Sequence, residues 1–336
     1  MRDAETGLKV QRGDFVAVPI PLSDPTLGSG LVAGAAYFYP QTEAQKAVQP
    51  ASVTAVAGMY TSTDSYAYGV GQQNYWAEDK WRFSGAVAHA NLELELLAPT
   101  EAGAADRPDW LIEGNFLFTE ISRAIWRSWY AGFSARYVDI DQSFEPPSLG
   151  GSFDLSNEVR SVGVGLSLTL DTRDLPINSY AGRLMELRTL FNDGSLGSDK
   201  SYQSYSGAFR SYHPVFEGMV LAWELEGCRR NGRAPLWDAC LLGLRGFPAT
   251  EYMAKTSASA QLEARWQFKR RWGVVGFGGL GAVNRALAES QEDDLVTSIG
   301  IGLRYMVLPA KRINLRLDYA RAGGGEAIYF SVGEAF

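Results

Sequence analysis

Twelve residues near the three-quarter point of the chain alternate without a break. In Ser257–Phe268 every odd position is polar (Ser257, Ser259, Gln261, Glu263, Arg265, Gln267) and every even one apolar (Ala258, Ala260, Leu262, Ala264, Trp266, Phe268). Successive side chains of a β-strand point to opposite faces, so this segment is a strand with one wet and one oily face. The same period recurs along the chain. Over Arg160–Leu170 it puts Val162, Val164, Leu166, Leu168 and Leu170 on one face and Ser, Gly and Thr on the other. Over Gly218–Gly227 it sets Leu221, Trp223 and Leu225 against Glu224 and Glu226. No run approaches the roughly 18 consecutive apolar residues of a transmembrane helix.

Taken in order, the pattern predicts sixteen strands: Phe15–Leu22, Gly30–Tyr39, Val53–Thr61, Tyr66–Tyr75, Lys80–Leu96, Trp110–Glu120, Trp126–Val138, Arg160–Leu170, Arg183–Phe191, Gln203–Tyr212, Gly218–Gly227, Ser257–Phe268, Trp272–Ala282, Thr297–Val307, Ile313–Ala320 and Ala327–Phe336. Most have the length of a tilted strand crossing a bilayer. In Lys80–Leu96 the phase changes, with Trp81 and Phe83 at odd positions and Leu92, Leu94 and Leu96 at even ones, which predicts a β-bulge near His89. The segment Asp139–Asn157, with its Pro-Pro and Gly-Gly pairs, is expected to be a long loop.

Connections sort by parity. Those after strands 5, 7, 9, 11 and 13 are long, whereas those after strands 4, 6, 10, 12 and 14 are brief, such as Lys269–Arg271. Short turns on one side and long loops on the other are the asymmetry of an outer-membrane barrel. Tyr39–Ala51, after strand 2, breaks the rule. Composition, with 36 glycines and 12% aromatics, suits both a transmembrane barrel and a large soluble β-sandwich. The charges opposite the apolar face favour the barrel: Glu93, Glu95, Glu113, Glu186, Arg188, Arg210, Glu224, Glu226, Glu263, Arg265, Arg304, Arg316 and Asp318 require a hydrated lumen. The expected fold class is therefore all-β, a 16-stranded antiparallel transmembrane barrel, with residues 1–13 a short periplasmic tail and 14–336 the barrel.

A net charge of −7 argues against nucleic acid as a partner. The first residues, Met-Arg-Asp-Ala-Glu-Thr-Gly, lack an apolar core, so the sequence is expected to begin at a mature chain without a signal peptide. Cys228 and Cys240 carry no CxxC and make a zinc site improbable. Lying at the edge of the long connection after strand 11, they suit a disulfide at its base, or two unpaired thiols. His89 and His213 are the only histidines, and neither has the neighbours of a triad or a metal site. No cofactor, metal or catalytic residue is expected.

Leu244-Arg245-Gly246-Phe247, between strands 11 and 12, resembles the (V/L)-R-G-(F/Y) motif of the outer-membrane insertase and translocator superfamily, which includes the BamA, TamA and FhaC proteins. Asp171-Thr-Arg173-Asp174-Leu-Pro176, ending in Gly182, is similar to that family's D-x-R-D-x-P…G turn, and the terminal Gly333-Glu-Ala-Phe336 to its last strand. The resemblance covers the chain from Phe15 onward. It implies a long loop inserted into the lumen between strands 11 and 12, with Arg245 bound to acids on strands 12 and 13. Glu263 stands where the first acid belongs, whereas Gly279 replaces the second. Family members usually carry periplasmic POTRA domains, and the residues before the first strand here are too few for one, so the chain resembles a barrel-only branch or a barrel excised from a longer protein.

The function so implied is assistance to the assembly or passage of an unfolded outer-membrane protein or a lipid client, in contact with outer-membrane lipid. Its physical basis would be a weak seam between strands 1 and 16, where Pro19 removes a ladder donor and Phe330 and Phe336 end the chain. The alternative is a passive pore or structural barrel, in which Arg245 only anchors a plug.

Overall fold

The computed structural model describes residues 13–95, 109–145, 157–284, 293–309, 312–323 and 325–336. Its strands are β1 (Asp14–Asp24), β2 (Gly28–Phe38), β3 (Val53–Thr61), β4 (Tyr66–Trp76), β5 (Trp81–Glu95), β6 (Asp109–Trp126), β7 (Trp129–Glu145), β8 (Asn157–Asp171), β9 (Gly182–Asn192), β10 (Tyr202–Phe216), β11 (Met219–Gly232), β12 (Thr256–Trp266), β13 (Trp272–Asn284), β14 (Asp293–Leu308), β15 (Ile313–Ala322) and β16 (Gly325–Val332). Each pairs antiparallel with its sequence neighbours, and β1 meets β16, so the sixteen strands close into a barrel. Closure removes every sheet edge but the seam, which is what lets a β-structure stand in lipid. No helix among the described residues is long and apolar enough to cross a membrane.

The outer face is apolar, with Phe133, Leu166, Leu262 and Ile299 exposed on it. Trp76, Trp81, Trp126, Trp266 and Trp272 stand exposed beside the short turns and form an interfacial belt at the periplasmic rim. The connection Tyr39–Ser52, out of step with the other periplasmic turns, contains a short helix, Glu43–Lys46, capped by Thr42.

The neighbouring strands β5–β8 rise well beyond the membrane and form one tall wall. β5, β6, β7 and β8 have 15, 18, 17 and 15 residues, against the roughly 9–11 that span a bilayer. Asp139–Glu145 is accordingly strand, not loop, and residues 146–156 of the expected loop lie outside the described residues. No bulge occurs near His89, because β5 keeps register with both neighbours, through Tyr68↔His89 and His89↔Asn115. What changes is the surroundings of the two faces. Above the membrane the inner face meets other protein, and Leu94, Trp110, Ile112, Val138 and Ile140 pack there into a buried cluster. The outer face meets water. Glu93, Glu95 and Glu113 therefore point outward, contrary to the lumenal placement expected of them.

The last strand also ends sooner than its alternation suggests. Gly333, at φ +97°, turns the chain after Val332. Phe336 leaves the seam and packs inside the rim with Tyr180 against Tyr212, Val220 and Ala222. Residues 1–12 of the expected tail lie outside the described residues.

Candidate functional site: a loop clasped in the lumen

The connection between β11 and β12 returns into the barrel. Its neck is closed by the Cys228–Cys240 disulfide and by paired backbone bonds between Cys240 and Ala254, at 2.8 and 2.9 Å. Leu242, Leu244, Phe247, Tyr252 and Ala254 then form an apolar core with Val283 and Val296 on the inner face of β13 and β14. Two glycines on β13 make that packing possible. A Cβ at Gly279 would sit 2.8 Å from Leu244 Cδ2, and one at Gly281 would sit 2.6 Å from Leu242 Cδ1. The position where the motif calls for an aspartate is thus filled by the loop's own leucine.

Arg245 finds its second acid elsewhere. Its Nη2 donates to Glu263 Oε1 on β12, and its Nη1 donates to Asp318 Oδ2 on β15 at 2.8 Å. The guanidinium also lies over the Phe277 ring, 3.4 Å from the centroid, and its main-chain oxygen accepts from Ser298 Oγ. Gly246 follows at φ +123°, where an added Cβ would stand 2.7 Å from Ala322 Cβ, so both its conformation and its space demand glycine.

From Arg245 the ion pairs continue both ways. Glu263 accepts from Arg265 Nε at 2.7 Å, and Asp318 from Arg304 Nη1 at 2.5 Å. Arg304 Nε donates to Glu334 at 2.8 Å, and Asn314 occupies that carboxylate's other oxygen at 2.6 Å. Arg265, Glu263, Arg245, Asp318, Arg304 and Glu334 thus alternate in sign along one buried chain, with side chains at most 9% exposed. Such charges tolerate burial only because each has an opposite neighbour and charge-assisted hydrogen bonds. Alternation alone places Asp318 among the lumen charges, but its role as the motif arginine's partner follows from tertiary contact.

A second clasp holds the loop's entry segment to the facing wall. Asp238 accepts from Arg136 Nη2 at 2.7 Å on β7, Tyr202 OH at 2.8 Å on β10, and Arg230 Nη2 at 3.2 Å on β11. Beside it, Leu236 and Trp237 pack against the buried cluster of the tall wall. Sequence reasoning missed Asp238. An acid set among Leu, Trp and Ala was the available signal.

The rest of the loop reaches the seam. Gly246 N donates to Tyr329 OH on β16 at 2.8 Å, and Ala249 N donates to Thr26 Oγ1 in the β1–β2 turn at 2.8 Å. Thr250 Oγ1 donates to Glu95 O on β5 at 2.7 Å. Between β1 and β16 themselves one residue pair among the described residues is in register, Ser23↔Phe330, with Ser23 Oγ donating to Ile328 O at 3.4 Å. Pro19 and Pro21, neither with an N–H, lie in the stretch of β1 that has a partner only on β2.

At the opposite rim the β8–β9 turn crosses the mouth. Arg173 grips Asp171 through Nε and Nη2, both at 3.0 Å, and donates from Nη1 to Pro176 O. Gly182 closes the turn at φ +100°. Asp174 accepts from Tyr180 N at 2.9 Å, Ala181 N at 3.2 Å and Arg312 Nη1 in the β14–β15 turn. Burial alone would raise the Asp174 pKa, but these donors, Arg312 foremost, hold it below the usual carboxylate value. Arg312 also lies over Tyr180, 4.1 Å from the ring centroid.

Residues 61–336 match the model of the Omp85 superfamily domain. The chain belongs to the Omp85 superfamily. Membership implies a bacterial outer-membrane location. No curated protein matches it in sequence. Among solved structures it is similar to BamA from Haemophilus ducreyi lacking POTRA domains 1–3, at TM-score 0.61 and 13% identity over 96% of this chain and 70% of that one. It is similar to CdiB from Escherichia coli at TM-score 0.65 and 12% identity, covering 98% of this chain and 63% of that one. CdiB from Acinetobacter baumannii gives 0.58 and 11%, covering 96% and 60%. The chain thus spans somewhat under two thirds of both CdiB structures. At these identities the likeness establishes the Omp85 barrel fold.

Among the described residues neither histidine hydrogen-bonds to both a hydroxyl and a carboxylate. His89 lies on the outer face, 5.3 Å between ring centroids from Tyr68. His213 Nε2 is 2.8 Å from Ser211 Oγ, and no carboxylate among the described residues hydrogen-bonds to that imidazole. Among the described residues no three His, Cys, Asp or Glu side chains are grouped to hold a metal.

Proposed function

We propose that this Omp85 barrel assists the assembly or passage of a protein or lipid client across the outer membrane, with the Arg245 clasp as the element that holds its seam shut. The observation that carries this reading is the division of labour at the seam. Among the described residues one ladder pair joins β1 to β16, while the loop bonds to Tyr329 on one side and Thr26 on the other. Loosening the loop would free a strand edge whose N–H and C=O groups template an incoming strand. The motif residues Leu244, Arg245, Gly246 and Phe247 then set how easily the seam opens. Pro19 lowers what the ladder could recover.

The test is the rate at which an unfolded outer-membrane protein folds into liposomes holding this barrel, holding the Arg245→Ala variant, or empty. Faster folding that the variant loses supports the reading. Equal rates in all three remove it.

A passive pore is the second reading, favoured by the inner face of β2–β5. There Gly34, Ala57, Gly69 and Ala88 stand in one cross-strand row and Ala36, Ala55, Gly71 and Ala86 in the next, with Ala57 and Ala86 exposed to the lumen. Side chains this small leave a water path beside the loop. Single-channel conductance that rises when the loop is shortened, with no effect on client folding, would select it.

A further inference from the structure

At the periplasmic rim, between the turns that follow β10 and β12, lies a cavity of about 320 Å³. Its lining comes from both faces of the wall. Phe216, Trp266 and Val274 contribute from the membrane side, where all three are exposed, and Val220, Val275 and Arg265 from the lumen side, where all three are buried. Gly218 and Gly273 sit between the two sets. A side chain at either would narrow the space, since a Cβ would lie 2.6 Å from Gln267 O at the first and 3.1 Å from Trp266 O at the second.

The polar end of this cavity is incomplete. Arg265 is 7% exposed; its Nε is taken by Glu263 and its Nη2 by Phe336 O, but its Nη1 has no hydrogen-bond partner. A buried, charged donor lacking an acceptor is costly and rare in folded proteins. The other charges on the lining do not supply one. Glu334 is held by Arg304 and Asn314, and Glu217 lies exposed on the β10–β11 turn. Arg271 adds a further positive charge.

We propose that this cavity binds an amphiphile from the periplasmic leaflet, with a single small anionic head, carboxylate or phosphate, on Arg265 Nη1 and an apolar chain along Val220 and Val275 toward Trp266. The membrane-exposed Phe216, Trp266 and Val274 on its lining favour a lipid-like ligand over a soluble anion. The buried guanidinium excludes cationic heads and gives neutral ones no ionic partner. A cavity of this size is at the lower end of small-molecule sites, so one short chain fits. The site stands apart from the Arg245 clasp in what it binds, and it does not depend on the client reading.

The experiment is native mass spectrometry of the full barrel in neutral detergent with dodecanoate, dodecyl phosphate or dodecanol. One adduct per barrel is expected with either anion, retained about tenfold more strongly than dodecanol. The tighter of the two anions identifies the source, free fatty acid or phosphate lipid. Met306→Trp, which fills the cavity without touching the ion pairs, and Arg265→Met should each abolish the adduct. Met306→Trp keeps the test decisive if Arg265→Met fails to fold. Equal retention of dodecanol, no adduct, or an adduct that survives Met306→Trp would overturn the proposal. Displacement of both anions by a lower concentration of a peptide ending in phenylalanine would also overturn it, assigning the site to a chain end.

Discussion

β6 and β7 stay in register from Asp109↔Glu145 to Ala124↔Tyr130, whereas among the described residues β1 and β16 share only Ser23↔Phe330. The first junction is held by backbone, with a ladder longer than the membrane is thick. The second is held by side chains and by a loop that enters the lumen from the far end of β11. A ladder distributes its strength over many equivalent bonds and fails gradually. A clasp concentrates it in a few residues, so one local change can release the junction. The barrel thus has one wall joined by an extended ladder and one junction joined mainly by side chains and the loop.

The comparison breaks most severely at Arg245. Arg245→Ala leaves Glu263 and Asp318 buried with one fewer cation each and should cost about 3–5 kcal/mol. Urea unfolding followed by the heat-dependent gel shift of the barrel will read it, and cysteines placed at Ser23 and Phe330 should cross-link less efficiently. Asp238→Asn should be milder, about 1.5–3 kcal/mol, because Tyr202 and Ser204 can still reach the amide while Arg136 and Arg230 lose their charge partner. In that variant, protease access to the loop should rise while the seam cross-link persists. Tyr329→Phe removes the hydroxyl that accepts from Gly246 N and donates to Phe247 O at 3.4 Å, and should cost about 1 kcal/mol. Its effect should fall on seam cross-linking, with the unfolding midpoint of the whole barrel little changed.

The smallest effect is expected at the periplasmic turn. Because the folded pKa of Asp174 is lowered, its contribution is present above the unfolded value of about 4 and is lost as pH falls through the folded one. Acid below about pH 4 should therefore loosen the turn from Arg312, seen as faster amide exchange at Tyr180 and Ala181. Asp174→Asn should remove that pH dependence. If it does not, the crossing turn is held by the stacking of Arg312 on Tyr180.

Strand alternation was legible because a barrel wall separates two solvents, and each side chain must suit the one it faces. Where the solvents change, the reading failed. On β5 the apolar phase shifts at Leu92 and Leu94 although the register does not, since above the membrane the inner face packs on the loop and the outer face meets water. The end of β16 misled for a similar reason. Phe336 is apolar because it packs inside the rim, whereas the alternation before it belongs to the wall.

Of the site, the Leu244–Phe247 motif and Glu263 could be named from the family resemblance, whose motifs are short stretches of chain. Asp318 as partner of Arg245 could not, because β15 lies far along the chain and only closure of the barrel sets it opposite the loop. The same holds for Asp238, whose partners on β7, β10 and β11 converge across the lumen. By itself the sequence determined the number of strands, their antiparallel order and which side carries the long loops. The tertiary structure alone decided which buried charges meet and how little of the seam is ladder. Period and turn chemistry act between neighbours in the chain, whereas a charge in the lumen is paired by whatever the closed wall brings within reach.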